Sequence, residues 1–228
     1  MRLLLFDIDG TLLLAASKAH RAALLEAIGE VYGLANCAGQ RIGAAGRTDT
    51  QIARAVALAS GVPSERFDEL RPAFESACVE AFARICPRSL AAHVAPGIPD
   101  LLAVLDGRAD VRLSLLTGNL EPIARLKLSR AGIGDYFAPG QGAFGSDAEQ
   151  RELLGPIARA RAGTADRPYP RERTIVIGDT PLDIACARAD GLRVIAIATG
   201  PHQAGDLTAA DHVVADAFEL HALLSTTS

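Results

Sequence analysis

The segment Arg2-Leu3-Leu4-Leu5-Phe6-Asp7-Ile8 is apolar without alternation and closes on a carboxylate. An alternating run would fit a strand with one wet face. A continuous one fits a strand covered on both faces, the condition of the inner strands of a parallel sheet. Such a strand needs neighbours in the same sheet and helices above and below it, which restricts the chain to α/β architectures.

The rest of the chain supplies those partners. Strands are expected at Val111–Leu116, Thr174–Ile177, Leu192–Ile197 and His212–Val214. Helices are expected between them, near 100–105, 121–131, 147–162 and 182–189, with a last one at the C-terminus. This alternation predicts a doubly wound parallel sheet. Residues 15–88 interrupt it with helical patterns only. Leu24, Leu25, Ile28 and Val31 recur at helical spacing over 17–32, with Ser17 as the expected cap and Gly33 as the stop. After a glycine-rich loop over 34–47, helices are expected at 50–60 and from Ser64 to about Ile85, with a break near Pro72. The expected organisation is a core of residues 1–14 and 89–228 with a helical insert at 15–88.

Composition narrows the function classes. Hydrophobic residues make up 49 % of the 228, enough for a large core, and the net charge of −4 gives no basic surface for nucleic acid. The apolar run at the N-terminus breaks at Asp7, too early for a signal peptide or membrane span. Cys37, Cys78, Cys86 and Cys186 lack metal-ligand spacing and read as buried free thiols of a cytoplasmic protein.

Ligands of doubly wound sheets bind at the carboxyl ends of the strands. There the first strand carries Asp7-Ile8-Asp9-Gly10-Thr11, with two carboxylates on the same side, one able to attack and one able to move a proton. Strand 111–116 ends in Thr117-Gly118-Asn119, a set of donors suited to phosphate oxygens. Strand 174–177 continues into Gly178-Asp179-Thr180-Pro181-Leu182-Asp183, whose carboxylates are hard ligands suited to magnesium. Asp183 also fits a helix N-terminus, and the Thr117 segment also fits an ordinary strand-to-helix turn. Four acids meeting at one edge require cations.

Taken in order, these three segments resemble three of the four motifs of the haloacid dehalogenase-like hydrolase superfamily, most closely its phosphoglycolate phosphatase-like branch with an inserted helical cap. The resemblance spans nearly the whole chain. It implies a magnesium-dependent phosphatase acting on a small phosphorylated metabolite through an aspartyl-phosphate, with phosphoglycolate as the substrate it suggests. Asp7 would be the nucleophile and Asp9 the acid and then the base. Asp7, Asp179 and the backbone carbonyl of Asp9 would bind Mg2+, with Asp183 holding metal-bound water or the lysine. Thr117, Gly118 and Asn119 would hold the phosphoryl group. The motif lysine is missing from its usual place around 140–147. In a chain with two lysines, Lys18 and Lys127, the expected substitute is Lys127, with Arg151 as the second choice. Arg47 in the cap loop is expected to bind a carboxylate or second phosphate, and His20 is expected on a helix surface. A sugar-phosphate mutase and a non-catalytic phosphate-binding protein are the alternatives. No nucleic-acid or membrane partner is expected, and a homodimer is compatible with the sequence.

Overall fold

In a computed structural model that describes residues 1–34 and 43–226, five parallel strands form one sheet. They are β1 (Arg2–Phe6), β2 (Val111–Leu115), β3 (Thr174–Gly178), β4 (Arg193–Ile197) and β5 (His212–Val214). Their order is β2-β1-β3-β4-β5. The expected doubly wound class is therefore present. Strand order reverses beside β1, so the crevice for a ligand opens where β1, β2 and β3 end.

Eight α-helices accompany the sheet among the described residues: α1 (Ser17–Tyr32), α2 (Asp49–Ala59), α3 (Ser64–Ile85), α4 (Ile98–Asp106), α5 (Glu121–Ala131), α6 (Leu154–Ala162), α7 (Pro181–Ala189) and α8 (Ala217–Thr226). The apolar run of β1 is divided between two layers. Leu4 and Phe6 join a cluster with Leu101 and Leu105 of α4, Ile123 and Leu128 of α5 and Leu220 of α8. Leu3 and Leu5 join another with Leu154 and Ala158 of α6 and Ile184 and Ala187 of α7. Residues 3 to 6 are all at most 1 % exposed. Burying both faces is why the run does not alternate.

Helices α1, α2 and α3 pack on one another, and the described residues between 15 and 88 include no strand. Phe67, Phe74 and Tyr32 form their aromatic centre, with Tyr32 and Phe67 stacked at 5.3 Å.

Three local expectations change. Helix α3 runs unbroken through Pro72, which lies on the exposed side, while Phe67, Phe74 and Phe82 hold both halves against the core. An exposed proline frees a carbonyl that water can satisfy, so packing outweighs the lost bond. Ser17 is the first helical residue, with Ala16 before it and no side-chain cap. A side-chain cap does stand before α2, where Thr48 forms a capping box with Gln51. The helix expected from 147 begins at 154 after a 3-10 turn at Arg151–Leu153, because Asp147 accepts from the Phe144 amide and pairs with Arg161 instead. Cys78, Cys86 and Cys186 are buried free thiols, while Cys37 and part of the glycine-rich loop lie outside the described residues.

Candidate active site

The ends of β1, β2 and β3 open into a cavity of about 470 Å³ shared by the core and the helical insert. Asp7, Asp9, Asn119, Arg151 and Asp179 line its floor, and Leu24, Leu25, Ile52 and Arg47 line the side formed by the insert.

Asp7 follows the last residue of β1, and its amide donates to the Ile177 carbonyl of β3, which fixes the carboxylate between two strand ends. Asp179 follows β3, and Asp183 sits in the first turn of α7. Carboxylate oxygens of Asp7, Asp179 and Asp183 lie within 4.8 Å of one another. All three are nearly fully buried. Among the described residues, the cation inside this group is Arg151. Its Nη2 is 3.2 Å from Asp7 Oδ1 and also donates to Asp183 Oδ1. The other Asp183 oxygen accepts from the Thr180 amide and hydroxyl at 3.0 and 2.7 Å, completing a capping box at α7. Asp183 thus caps α7 and stands in the acidic group with the same side chain.

One guanidinium cannot balance three carboxylates in a dry site. Burial pushes Asp7 up to about 6, with Arg151 pulling the other way and Asp183 and Asp9 adding to the rise. Asp179 is pushed up to about 8 by burial and then by the charges of Asp7 and Asp183. Groups this reluctant to ionise together fit a divalent cation. Asp179 supplies a second indication. Thr11 donates to its Oδ1 at 3.0 Å, while Oδ2 has no partner. A Cβ on Gly10 or Gly200 would lie 2.2 or 1.7 Å from that same oxygen, so two glycines form the cradle in which it sits. The donor set of three carboxylates matches magnesium chemistry.

Asp9 belongs to a separate arrangement. Its Oδ2 accepts from Lys127 Nζ at 2.5 Å and from Asn119 Nδ2 at 3.0 Å. Lys127 comes from α5, is fully buried, and also contacts Asn119 Oδ1 at 2.7 Å and His20 Nδ1 at 3.0 Å. His20 Nε2 meets Asp49 Oδ2 at 3.0 Å, which in turn accepts from the Leu120 amide at 2.8 Å. Burial alone would raise Asp9, but Lys127 and His20 outweigh it and hold the carboxyl below its usual range.

The expected residues therefore divide. Asp7, Asp179 and Asp183 meet. Asp9, Asn119 and Lys127 meet beside them. Thr117 lies two residues after β2, and its hydroxyl accepts from the Asn119 amide and side chain at 3.4 and 3.2 Å. Gly118 lies under the insert, with its carbonyl accepting from the Asp49 amide at 2.8 Å. Arg47 lines the cavity on its exposed side. Two expectations are corrected. Lys127, the sequence choice for the motif lysine, pairs with Asp9, and the cation on Asp7 is Arg151, the second choice. His20 is 6 % exposed and bonded on both ring nitrogens, not a surface residue. Asp9 also stands apart from the acidic trio, its Oδ2 taken by Lys127 and Asn119 while its buried Oδ1 has no hydrogen-bond partner. Sequence reasoning assigns no role to Asp49, Gly200 or the Thr11 side chain, although Thr11 belongs to the Asp7 motif and Asp49 stands two residues after Arg47.

Comparison with known proteins agrees with the geometry. The family model described as haloacid dehalogenase-like hydrolase matches residues 4–188. A curated relative, the probable phosphatase IndB of Dickeya dadantii, is 31 % identical over 142 residues. That match covers 59 % of each protein, so the chain spans less than two thirds of this relative. Among solved structures, a haloacid dehalogenase-like family hydrolase from Streptococcus pneumoniae superposes with a TM-score of 0.63 at 20 % identity, covering 98 % of both chains. CbbY from Rhodobacter sphaeroides, solved with phosphate, gives 0.65 at 20 % identity over 96 % of both chains. A protein provisionally assigned as a beta-phosphoglucomutase, from Bacteroides vulgatus, gives 0.69 at 19 % identity, covering 99 % of this chain and 88 % of its own. At these identities the superpositions speak for the fold.

Proposed function

Because the chain belongs to the haloacid dehalogenase-like hydrolase family, we propose that it is a magnesium-dependent phosphatase that uses Asp7 as its nucleophile. The observation that carries this reading is the pair of environments at the end of β1. Asp7 lies with a guanidinium on one oxygen and two further acids behind it, while Asp9, two residues on, is held apart by Lys127 and Asn119. Neighbouring carboxylates in such different surroundings suit different tasks.

In this reading an Asp7 oxygen attacks phosphorus and forms the aspartyl-phosphate as the ester P–O bond breaks. Asp9, which enters the cycle protonated although Lys127 favours its ionised form, gives that proton to the departing alcohol oxygen. It then takes one from the water that attacks the acyl phosphate, which releases inorganic phosphate, frees the Asp7 carboxylate and returns Asp9 to its acid form. Lys127 and Asn119 keep Asp9 aimed into the cavity, and Arg151 keeps Asp7 from turning away. Asp7, Asp179 and Asp183 would hold magnesium, which when bound lowers the charge repulsion between the acids and the phosphate dianion. Thr117, Gly118 and Asn119, at the end of β2, are the groups placed to receive the phosphoryl oxygens. The helical insert, residues 15–88, serves as the cap, with Arg47 at the cavity's exposed side as the residue for an anionic substituent.

The cavity volume suits a small phosphorylated metabolite. The three buried free cysteines fit a reducing, cytoplasmic setting. The test is phosphate release from a panel of phosphorylated metabolites, phosphoglycolate among them, with and without Mg2+. Turnover should need the metal and vanish in Asp7→Asn, along with capture of beryllium fluoride as a phosphate mimic. Full turnover in that variant, with deamidation excluded, would end the reading. An isomerised sugar phosphate in place of free phosphate would move the assignment to a mutase, and capture of phosphate without turnover to a binding protein.

A further inference from the structure

Arg151 makes one contact that a charge-balancing residue does not need. While Nη2 serves Asp7 and Asp183, Nη1 donates to the carbonyl of Gly46 in the loop that enters α2, at 3.0 Å. The side chain is 3 % exposed, and its backbone is pinned where the Arg151 carbonyl accepts from Cys186 Sγ. The guanidinium thus spans from the reacting strand end to the insert.

The loop it holds is seated at unusually close range. Gly46 has φ +74°, and a Cβ there would stand 2.4 Å from Thr180 Oγ1 and 2.8 Å from Leu182 Cβ. One turn of loop further, a Cβ on Gly118 would stand 2.2 Å from the Arg47 carbonyl oxygen. Glycine on each side of the junction lets the backbone of the insert rest on the loops after β2 and β3. Thr48 Oγ1 donates to the Glu149 carbonyl at 2.6 Å, and Arg54 pairs with the Glu149 carboxylate at 2.5 and 2.8 Å. Of the contacts that fasten residues 46–54 to the core, the Arg151 bond is the one whose other arm lies on Asp7.

We propose that Arg151 couples the seating of the 46–49 loop to the arrangement of the nucleophile. The inference rests on the reading of Asp7 as nucleophile and of residues 15–88 as a cap. With the loop seated, Gly46 fixes one end of a rigid planar fork and so fixes the other end on Asp7 and Asp183. With the loop lifted, Nη1 loses its acceptor and the fork is free to rotate off Asp7. A lysine carries the same charge on a single nitrogen. It could neutralise Asp7 whether the loop is down or up, and would report nothing about closure. An arginine makes the cation available at Asp7 conditional on a closed cavity.

The experiment is amide hydrogen exchange on the full chain, followed in peptides covering 44–54, alongside steady-state phosphate release. Arg151→Lys should speed exchange in 44–54 by at least about tenfold, the factor that corresponds to about 1.4 kcal/mol, while β1 and β3 stay protected. Gly46→Ala perturbs the other end without touching Asp7. It should speed the same peptides and also lower kcat/KM, with Asp7 still able to capture beryllium fluoride. Wild-type exchange in Arg151→Lys would overturn the proposal. So would a Gly46→Ala protein with a loosened loop and undiminished kcat/KM. If Arg151→Lys loses protection throughout, the Gly46→Ala result decides alone. Absence of phosphate release from the unaltered protein would sink the phosphatase reading instead, and leaves the exchange result to be judged by itself.

Discussion

Raising the pH from about 5 to about 8 should destabilise the metal-free protein, and magnesium should reverse the effect most strongly at the upper end. Asp179 ionises at about 8 and Asp7 at about 6, against an ordinary value of 3.8. A carboxyl whose pKa is raised by folding holds its proton more tightly in the folded state. Its stabilisation is complete below the unfolded value and is lost as pH climbs through the folded one. The window is therefore about pH 4 to 8. From pH 5 upward Asp179 alone spans about three pH units, about 4 kcal/mol at 1.36 kcal/mol per unit. Asp7 completes its part lower in the window, and the two titrate as a linked pair, so about 4 kcal/mol is the scale and not a sum. Asp9, held low by Lys127, adds no slope here. For a chain of this length the loss corresponds to a fall in Tm of roughly 10 °C. Thermal denaturation in chelator, then with Mg2+, at steps across the window measures it. Asp179→Asn should flatten the curve and remove most of the magnesium effect. A metal-free Tm that is flat or rises over the window, or an Asp179→Asn protein with the original slope, would refute the account of the acidic cluster.

Two further outcomes separate catalysis from stability. Lys127→Met should lower turnover by on the order of 10²-fold or more, because it removes the cation that holds Asp9 and leaves Asn119 Oδ1 with a lost donor. Wild-type turnover would dismiss the Lys127–Asp9 pair as structural. Arg159→Leu should do the reverse. Arg159 makes a two-point bond to the buried Asp190 at 2.6 and 2.9 Å, far along the core from the acids. Stranding that carboxylate should cost about 3–5 kcal/mol, visible as a lower Tm with KM unchanged. A Tm within a degree or two of the parent would show that Arg171, the other partner of Asp190, suffices.

The strand-end motifs were legible because they are local. The apolar run of β1 needs two covered faces, and the acids after β1 and β3 follow their strands directly in sequence. The helical character of the insert was legible from its periodicity, although Pro72 misled because an exposed proline on a well-packed helix does not break it. What could not be read is how side chains from distant segments meet. His20, Asp49 and Lys127 come from three helices, and nothing in the neighbourhood of His20 in sequence says that its two ring nitrogens will find an acid and an amine. Which acid Lys127 and Arg151 would each meet was hidden for the same reason. Sequence offered a rare lysine and a common arginine, and rarity favoured the lysine. Position decides otherwise: the 3-10 turn that replaces the first turn of the expected helix carries Arg151 to the acids, and α5 carries Lys127 to Asp9.

The junction at Gly118 bears on how such inserts can be exchanged between related proteins. The loop after β2 accepts the Asp49 amide on its own backbone carbonyl, gives the Leu120 amide to the Asp49 carboxylate, and leaves no room for a side chain beneath Arg47. Insert and core are keyed to each other through main-chain atoms and the Asp49 carboxylate. A chimera that grafts the helices of another relative onto this core would inherit a mismatched seam unless residues 46–49 and 118–120 travelled together. Shuffling for new specificity should therefore cut outside both segments, and libraries that hold them as one cassette should yield folded, closed proteins more often than libraries that split them.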